Sequence, residues 1–160
     1  MKMKIFSTLL TILLIGAASV TWAADASDKM VTVDPATAQY VTPPGLPTCA
    51  TLTPLKGDPS KGAFLVLAKI SSGCAIPWHW HTYSENLMMV SGTGLVEMKD
   101  GGSYPFQAGG YVSLPAHHVH QATCTKDCVT FLSSDGAFDI HYVNKAGKEI
   151  PMDKALKKNK

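Results

Sequence analysis

The sequence predicts an all-β domain, a sandwich or barrel built from short strands. Two observations carry this prediction. Short runs rich in apolar and β-branched residues recur along the chain, with clusters of glycine, proline and aspartate between them. Helical periodicity is absent up to Met152, and only the tail that begins there is compatible with a helix.

Each strand is bounded by turn-forming residues. The predicted strands are 63–70, 76–81, 85–90, 95–99, 103–106, 111–114, 129–133 and 139–143. The predicted turns are 56–62, Gly92-Thr93-Gly94, Asp100-Gly101-Gly102, Gly109-Gly110 and Ser134-Asp135-Gly136.

The N-terminus has the pattern of a secretory signal peptide. A basic start is followed by an apolar run over 5–20 and by Thr21-Trp22-Ala23, which suits cleavage after Ala23. The apolar run is short for a membrane span, and an uncleaved anchor is the alternative. We therefore expect a periplasmic or secreted protein without a membrane span after cleavage. The predicted regions are a signal peptide (1–23), an N-terminal arm (24–47), a β-barrel domain (48–145) and a basic tail (146–160).

The charges limit the classes of partner. All 14 basic residues other than histidine are lysines, and the chain contains no arginine. Four of the lysines fall in the last seven residues, 154–160, which leaves a mildly acidic body and argues against nucleic acid as a partner. The missing arginine also disfavours sugar phosphates and 2-oxo acids as substrates, because the guanidinium fork usually binds such groups.

The four cysteines suit an oxidising compartment. Cys124 and Cys128 flank Thr125-Lys126-Asp127, which reads as a hairpin turn that a disulfide would bridge. Cys49 and Cys74 form a second bridge or remain free. An alternative makes Cys124 a metal ligand or a redox thiol.

The most informative feature is a set of potential metal ligands. His79 and His81 are two residues apart, so both rings leave the same face of a strand. With Glu85 and His120 they give a donor set of three nitrogens and one oxygen, which suits Zn, Fe, Ni, Cu or Mn better than Ca or Mg. The alternative is that these histidines are unconnected surface or core residues.

The spacing resembles the two motifs of the cupin superfamily, G-x5-H-x-H-x3-E-x6-G and G-x5-P-x-G-x2-H-x3-N. The first is matched in full by Gly73, His79, His81, Glu85 and Gly92. The second is matched by Gly109, Pro115 and His120, whereas His117 replaces its Gly and Cys124 its Asn. The resemblance implies a single cupin-type double-stranded β-barrel, or jelly roll, with the metal inside.

Two functions follow from this resemblance. The first is an exported protein that binds one divalent transition metal through His79, His81, Glu85 and His120. The second is a metal-dependent small-molecule enzyme of the dioxygenase or isomerase type, whose catalytic residues the sequence does not identify. Zn is the first choice of metal, with Fe, Ni, Mn and Cu open. The partner at the metal is an unidentified small molecule.

Three further predictions concern the surroundings of the site. His118 and His141 are candidates for partners of the ligands or for proton shuttles, and His117 points to solvent. Trp78 and Trp80 alternate with the ligand histidines, so both face outward and need cover from the arm or from a second subunit. We therefore expect a homodimer.

Overall fold

The computed structural model describes residues 30–157 and shows an all-β fold. The signal peptide predicted at 1–23, the start of the arm and the last three residues lie outside the described residues. Within the described range, no helix has both the length and the apolar character that a bilayer crossing needs. The elements are β1 (Ala50–Gly57), β2 (Phe64–Ile70), β3 (Ala75–Trp80), β4 (Glu85–Met98), β5 (Ser103–Gln107), β6 (Tyr111–Leu114), β7 (His120–Ser134), β8 (His141–Tyr142) and the helix α1 (Met152–Leu156).

A long antiparallel ribbon of β4 and β7 organises the sheet. Its ladder runs from the Glu85–Ser134 pair to the Met98–His120 pair. The other edge of β7 pairs with β3 in its first half and with β2 in its second half. The other edge of β4 pairs with β6 and then with β5. Strands β1 and β8 extend the sheet beside β2 and β3.

Buried side chains form two core clusters, and the β4–β7 ribbon contributes to the second. Buried residues of β1 and β2 form the first cluster, Leu52, Phe64, Val66 and Ala68. Residues of β4, β5 and β7 form the second, Met89, Phe106, Cys124 and Cys128. Because β2 is apolar on nearly every position, it is covered on both faces, as its continuous apolar run predicts.

The predicted turn at Gly92-Thr93-Gly94 is wrong, because β4 continues through it. Glycine is required at position 92 for a different structural reason. Gly92 has a φ of +92°, and a Cβ there would overlap the carbonyl oxygens of Lys126 and Asp127. The pairing of β4 with β7 shifts register three times between Met89 and Gly94. Gly92 therefore marks a β-bulge inside a long strand and not its end.

The hairpin turn predicted at Thr125-Lys126-Asp127 is also wrong, since both flanks belong to β7 and pair with β4. The disulfide between Cys124 and Cys128 is nevertheless present. Their Cα atoms are 6.0 Å apart, whereas four residues of extended strand span roughly 13 Å. The disulfide thus bridges a contracted, non-extended stretch of β7 that lies opposite the bulge at Gly92. A bonded Cys124 has no thiolate to offer a metal, which argues against its alternative role as a metal ligand.

Cys49 and Cys74 form the second disulfide, which joins the start of β1 to the turn before β3. Strand β1 itself was not predicted, because Pro54 breaks its apolar pattern. The structure accommodates Pro54 at a register shift in the pairing of β1 with β2.

Part of the cover over the two tryptophans comes from other segments of this chain. The Trp80 ring stacks on the His141 ring at 3.9 Å and lies 4.9 Å from the His117 ring. Trp78 lines a groove with residues 143–155, and the Lys99 ammonium lies 5.4 Å from its ring centroid. Both tryptophans are half-buried. The homodimer therefore stays a prediction.

Candidate metal centre

The two motifs meet through direct strand pairing. His79 on β3 and His120 at the start of β7 are opposite each other in the ladder, and His81 follows the end of β3. Each of the three buried histidines offers a ring nitrogen that lies within 4.8 Å of those of the other two. The two parts of the sequence, some forty residues apart, therefore form one cluster.

Backbone carbonyls fix the tautomer of each ring. The Nδ1 of His79 lies 2.6 Å from the carbonyl oxygen of Pro77, and that of His120 lies 2.9 Å from that of His118. The Nδ1 of His81 is hydrogen-bonded to the carbonyl oxygen of Asp139. Since a carbonyl oxygen only accepts, each Nδ1 carries the proton of a neutral ring. Each Nε2 is then left with a lone pair, which is the form that binds a metal.

One of these nitrogens is buried without a partner. Among the described residues, the Nε2 of His81 is one of two buried side-chain polar atoms that lack a hydrogen bond. Buried polar atoms are normally satisfied, so an exception of this kind calls for an explanation. A role of this nitrogen as a metal ligand is one such explanation.

Burial keeps His79 and His120 neutral. It lowers the pKa of His79 well below its usual value, and the neighbouring His120 and His81 add to the effect. Burial also lowers the pKa of His120, although the nearby Glu85 carboxylate opposes the shift. Both rings are therefore uncharged at neutral pH.

Glu85 lies beside the histidines at the start of β4. Its Oε1 is 3.8 Å from the Nε2 of His81, and its Oε2 is 4.0 Å from the Nε2 of His120. These separations are too long for hydrogen bonds. Two atoms that share one ion, each about 2.1 Å from it, lie at most about 4.2 Å apart. The separations of Glu85 from the two nitrogens fall below that limit.

Asp139 is a site residue that sequence reasoning missed. Its carbonyl oxygen holds His81, and its carboxylate accepts a hydrogen bond of 2.9 Å from the backbone N–H of Thr82. Burial would raise the pKa of Asp139, but the hydrogen bond from Thr82 and the nearby His141 lower it on balance. A backbone contact across 58 residues leaves no motif, so it could not be predicted from the pattern of residue types.

The other histidines lie around this cluster and not in it. His118 is exposed and contributes its carbonyl oxygen to His120. The Nε2 of His141 is 3.4 Å from the Asp139 carboxylate, so this residue reaches His81 only through Asp139. His117 is exposed, as predicted, and has a φ of +63°, which fits its place at the glycine of the second motif.

A small apolar cavity adjoins the three histidines and Glu85. Its volume is about 60 Å³. Leu46 of the N-terminal arm lines it together with side chains of the sheet. The Tyr142 hydroxyl anchors this part of the arm by donating a hydrogen bond of 2.7 Å to the carbonyl oxygen of Gly45.

Comparison with protein families gives a match to the model described as Cupin domain, over residues 66–133. That range contains all four predicted ligands. Comparison with curated proteins found no match.

Solved structures share the fold. An RmlC-like cupin protein from Ralstonia eutropha JMP134 is 21% identical, with a TM-score of 0.60 over 80% of this chain and 85% of that one. The polyketide cyclase RemF from Streptomyces resistomycificus is 18% identical, with a TM-score of 0.60 over 80% of this chain and 99% of that one. An acetylacetone dioxygenase from Acinetobacter johnsonii is 16% identical, with a TM-score of 0.59 over 78% of this chain and 84% of that one. Residues 66–133 therefore form a cupin domain, and the solved structures share its fold.

Proposed function

We propose that this protein is an exported, single-domain cupin that binds one divalent transition metal through His79, His81, Glu85 and His120. The observation that carries the proposal is the unpartnered, buried Nε2 of His81, in a cluster whose three Nδ1 atoms are all engaged by carbonyl oxygens. A core histidine with no ligand would leave this lone pair unsatisfied, at a cost of about 1–3 kcal/mol.

The residues fit a transition metal chemically. Three neutral imidazoles and one carboxylate are suitable donors for Zn, Fe, Ni, Mn or Cu, and Zn remains the first choice. When bound, such an ion supplies a Lewis acid with room for a small molecule beside its protein ligands. The chain's own contributions are the carbonyls of Pro77, His118 and Asp139, which orient the rings before any ion arrives.

Export is supported by the cysteines as well as by the predicted signal peptide. Both cysteine pairs are bonded in the structure, which is typical of proteins from oxidising compartments. These two features support a periplasmic or secreted location, where the metal would be acquired.

Single substitutions test the proposed ligands. Wild-type protein loaded with Zn²⁺ should carry about one ion per chain by elemental analysis. His79→Ala and His120→Ala should retain less than about a tenth of it, because each removes a donor nitrogen. Glu85→Gln should weaken affinity by roughly 10- to 100-fold, because the amide oxygen that remains carries no negative charge. His118→Ala is the matched control, since its backbone carbonyl remains and its ring is exposed. Full metal content in folded His79→Ala would rule out the proposed site.

A second candidate function is a metal-dependent enzyme of the dioxygenase or isomerase type. The cavity beside the histidines favours it, because a purely structural site needs no space for a small molecule. Oxygen uptake by the metal-loaded protein across small phenols, thiols and diketones is the test. Uptake that disappears in His79→Ala but persists in His118→Ala would support catalysis, and inert protein with every metal would contradict the oxygenase.

A further inference from the structure

The cavity next to the cluster limits what can bind there. We propose that the metal centre takes a small ligand with one metal-binding group and an uncharged hydrocarbon body of roughly two to three carbon atoms. This inference rests on the metal site proposed above and specifies the class of molecule that the site accepts.

The cavity walls are almost entirely hydrocarbon. Their larger side chains are Leu46, Leu52, Ile70, Leu114, Leu132 and Phe138. Within residues 30–157, the polar side chains that reach the cavity are the three histidines, Glu85 and Thr130. The Thr130 hydroxyl already lies 3.0 Å from the carbonyl oxygen of Met88, to which it donates. A ligand therefore meets polar groups only at the metal end.

The charges of the site allow one anionic group and no more. Three neutral imidazoles, the Glu85 carboxylate and a divalent ion sum to a net charge of one positive unit. A single carboxylate, thiolate or enolate on the ligand would balance it. A second negative charge would have no partner, because none of the cavity-lining residues in the described part of the chain is a lysine and the sequence has no arginine. A positive charge on the ligand body would find only the Glu85 carboxylate, which the proposed metal already engages. Burial of an unpaired charge is strongly unfavourable.

The volume limits the length of the ligand. An apolar cavity of about 150 Å³ accommodates benzene, with its six carbon atoms. This cavity, at about 60 Å³, is less than half that size. It therefore has room for a short hydrocarbon chain. An amino acid or a sugar acid would carry a second polar group, and an aromatic acid would exceed the volume of the cavity.

A pair of matched probes tests the charge requirement. Butyrate and β-alanine have the same number of non-hydrogen atoms and differ in a terminal methyl or ammonium group. Each is titrated into Co²⁺-loaded protein and followed by the visible absorption of the ion, which also reports that the ion stays bound. Butyrate should bind at least about a hundredfold more tightly than β-alanine, because only the ammonium must be buried unpaired.

A series of chain lengths tests the size requirement. From acetate to butyrate, affinity should rise about fourfold with each methylene, and hexanoate should gain nothing over butyrate. Ala122→Leu, which fills the cavity, should reduce butyrate affinity to that of acetate while leaving acetate affinity unchanged. Leu132→Ala, which enlarges it, should shift the optimum to hexanoate. Thr123→Val is the control, because the neighbouring position faces away from the cavity.

The two proposals fail in different ways. Protein that takes up no Co²⁺ contradicts the metal site itself. Protein that holds Co²⁺ but binds β-alanine as tightly as butyrate, or responds to neither chain length nor the two cavity variants, leaves the metal site standing and overturns the ligand class.

Discussion

His79 shows at the scale of one residue how the fold prepares a metal ligand. Its ring is buried against the rings of His81 and His120, with centroids 4.8 and 4.2 Å away. Protonation of His79 would place a positive charge in the protein interior, next to the rings of His120 and His81. Burial thus selects the neutral ring, and the carbonyl of Pro77 selects the tautomer with Nε2 free. The geometry suits a metal ligand, but keeping the ring buried and neutral has a free-energy cost in the metal-free protein.

That cost should appear as a pH dependence of the metal-free protein. The folded-state pKa values of His79 and His120 are lowered, so below pH 6.5 the unfolded chain takes up protons that the folded chain does not. The free energy of unfolding should therefore fall as the pH drops from about 6.5 to 5, with each histidine contributing up to about 1.4 kcal/mol per pH unit.

Urea unfolding of metal-free protein at several pH values measures this effect. His79→Ala should show a shallower fall with decreasing pH than the wild type, and His118→Ala, with its exposed ring, should match the wild type. Identical pH profiles for His79→Ala and the wild type would contradict the buried neutral state of His79.

At the level of elements, residue patterns predict the type of each strand better than where it ends. Glycine and cysteine patterns at 92–94 and 124–128 were interpreted as turns, yet both lie inside the long strands β4 and β7. The same residue types serve tight turns and bulges, and only the partner strand distinguishes the two. The bulge matters for the site, because it lies between the half of the ribbon that carries Glu85 and the half that carries His120.

Gly92→Ala tests the bulge. A Cβ at this position would meet the backbone oxygens of Lys126 and Asp127 and would also hold a positive φ. Loss of more than about 3 kcal/mol in the free energy of unfolding is expected, from urea titration.

Gly73→Ala is the matched control for Gly92→Ala. Its φ is also positive, at +79°, but nothing lies within 4 Å of the added Cβ. The strain of φ alone should cost about 1–2 kcal/mol. Equal losses in the two variants would show that the close approach of β7 to Gly92 is unimportant.

At the scale of the molecule, the site could be predicted where its residues follow one another in a motif. His79, His81, Glu85 and His120 are brought together as their spacing indicates. The supporting contacts could not be predicted, because Asp139 acts through its backbone carbonyl and Leu46 reaches the cavity from the arm. Such contacts depend on how distant segments pack, and no local pattern of residue types encodes them.

The two disulfides should differ in what they stabilise. Cys49–Cys74 closes a loop of 25 residues that includes β1 and β2, whereas Cys124–Cys128 spans four residues within β7. From the chain entropy of the unfolded state, the first should contribute about 3.5 kcal/mol to the free energy of unfolding and the second about 2 kcal/mol.

Paired serine substitutions measure this difference, with urea unfolding under conditions that keep the remaining bridge oxidised. The variant without Cys49–Cys74 should be the less stable of the two. The variant without Cys124–Cys128 should lose Zn²⁺ affinity by less than about tenfold. At His120, β7 stays paired with His79 of β3 on one edge and with Met98 of β4 on the other. A collapse of metal binding in that variant would mean that the bridge in β7, and not the strand pairing, sets the position of His120.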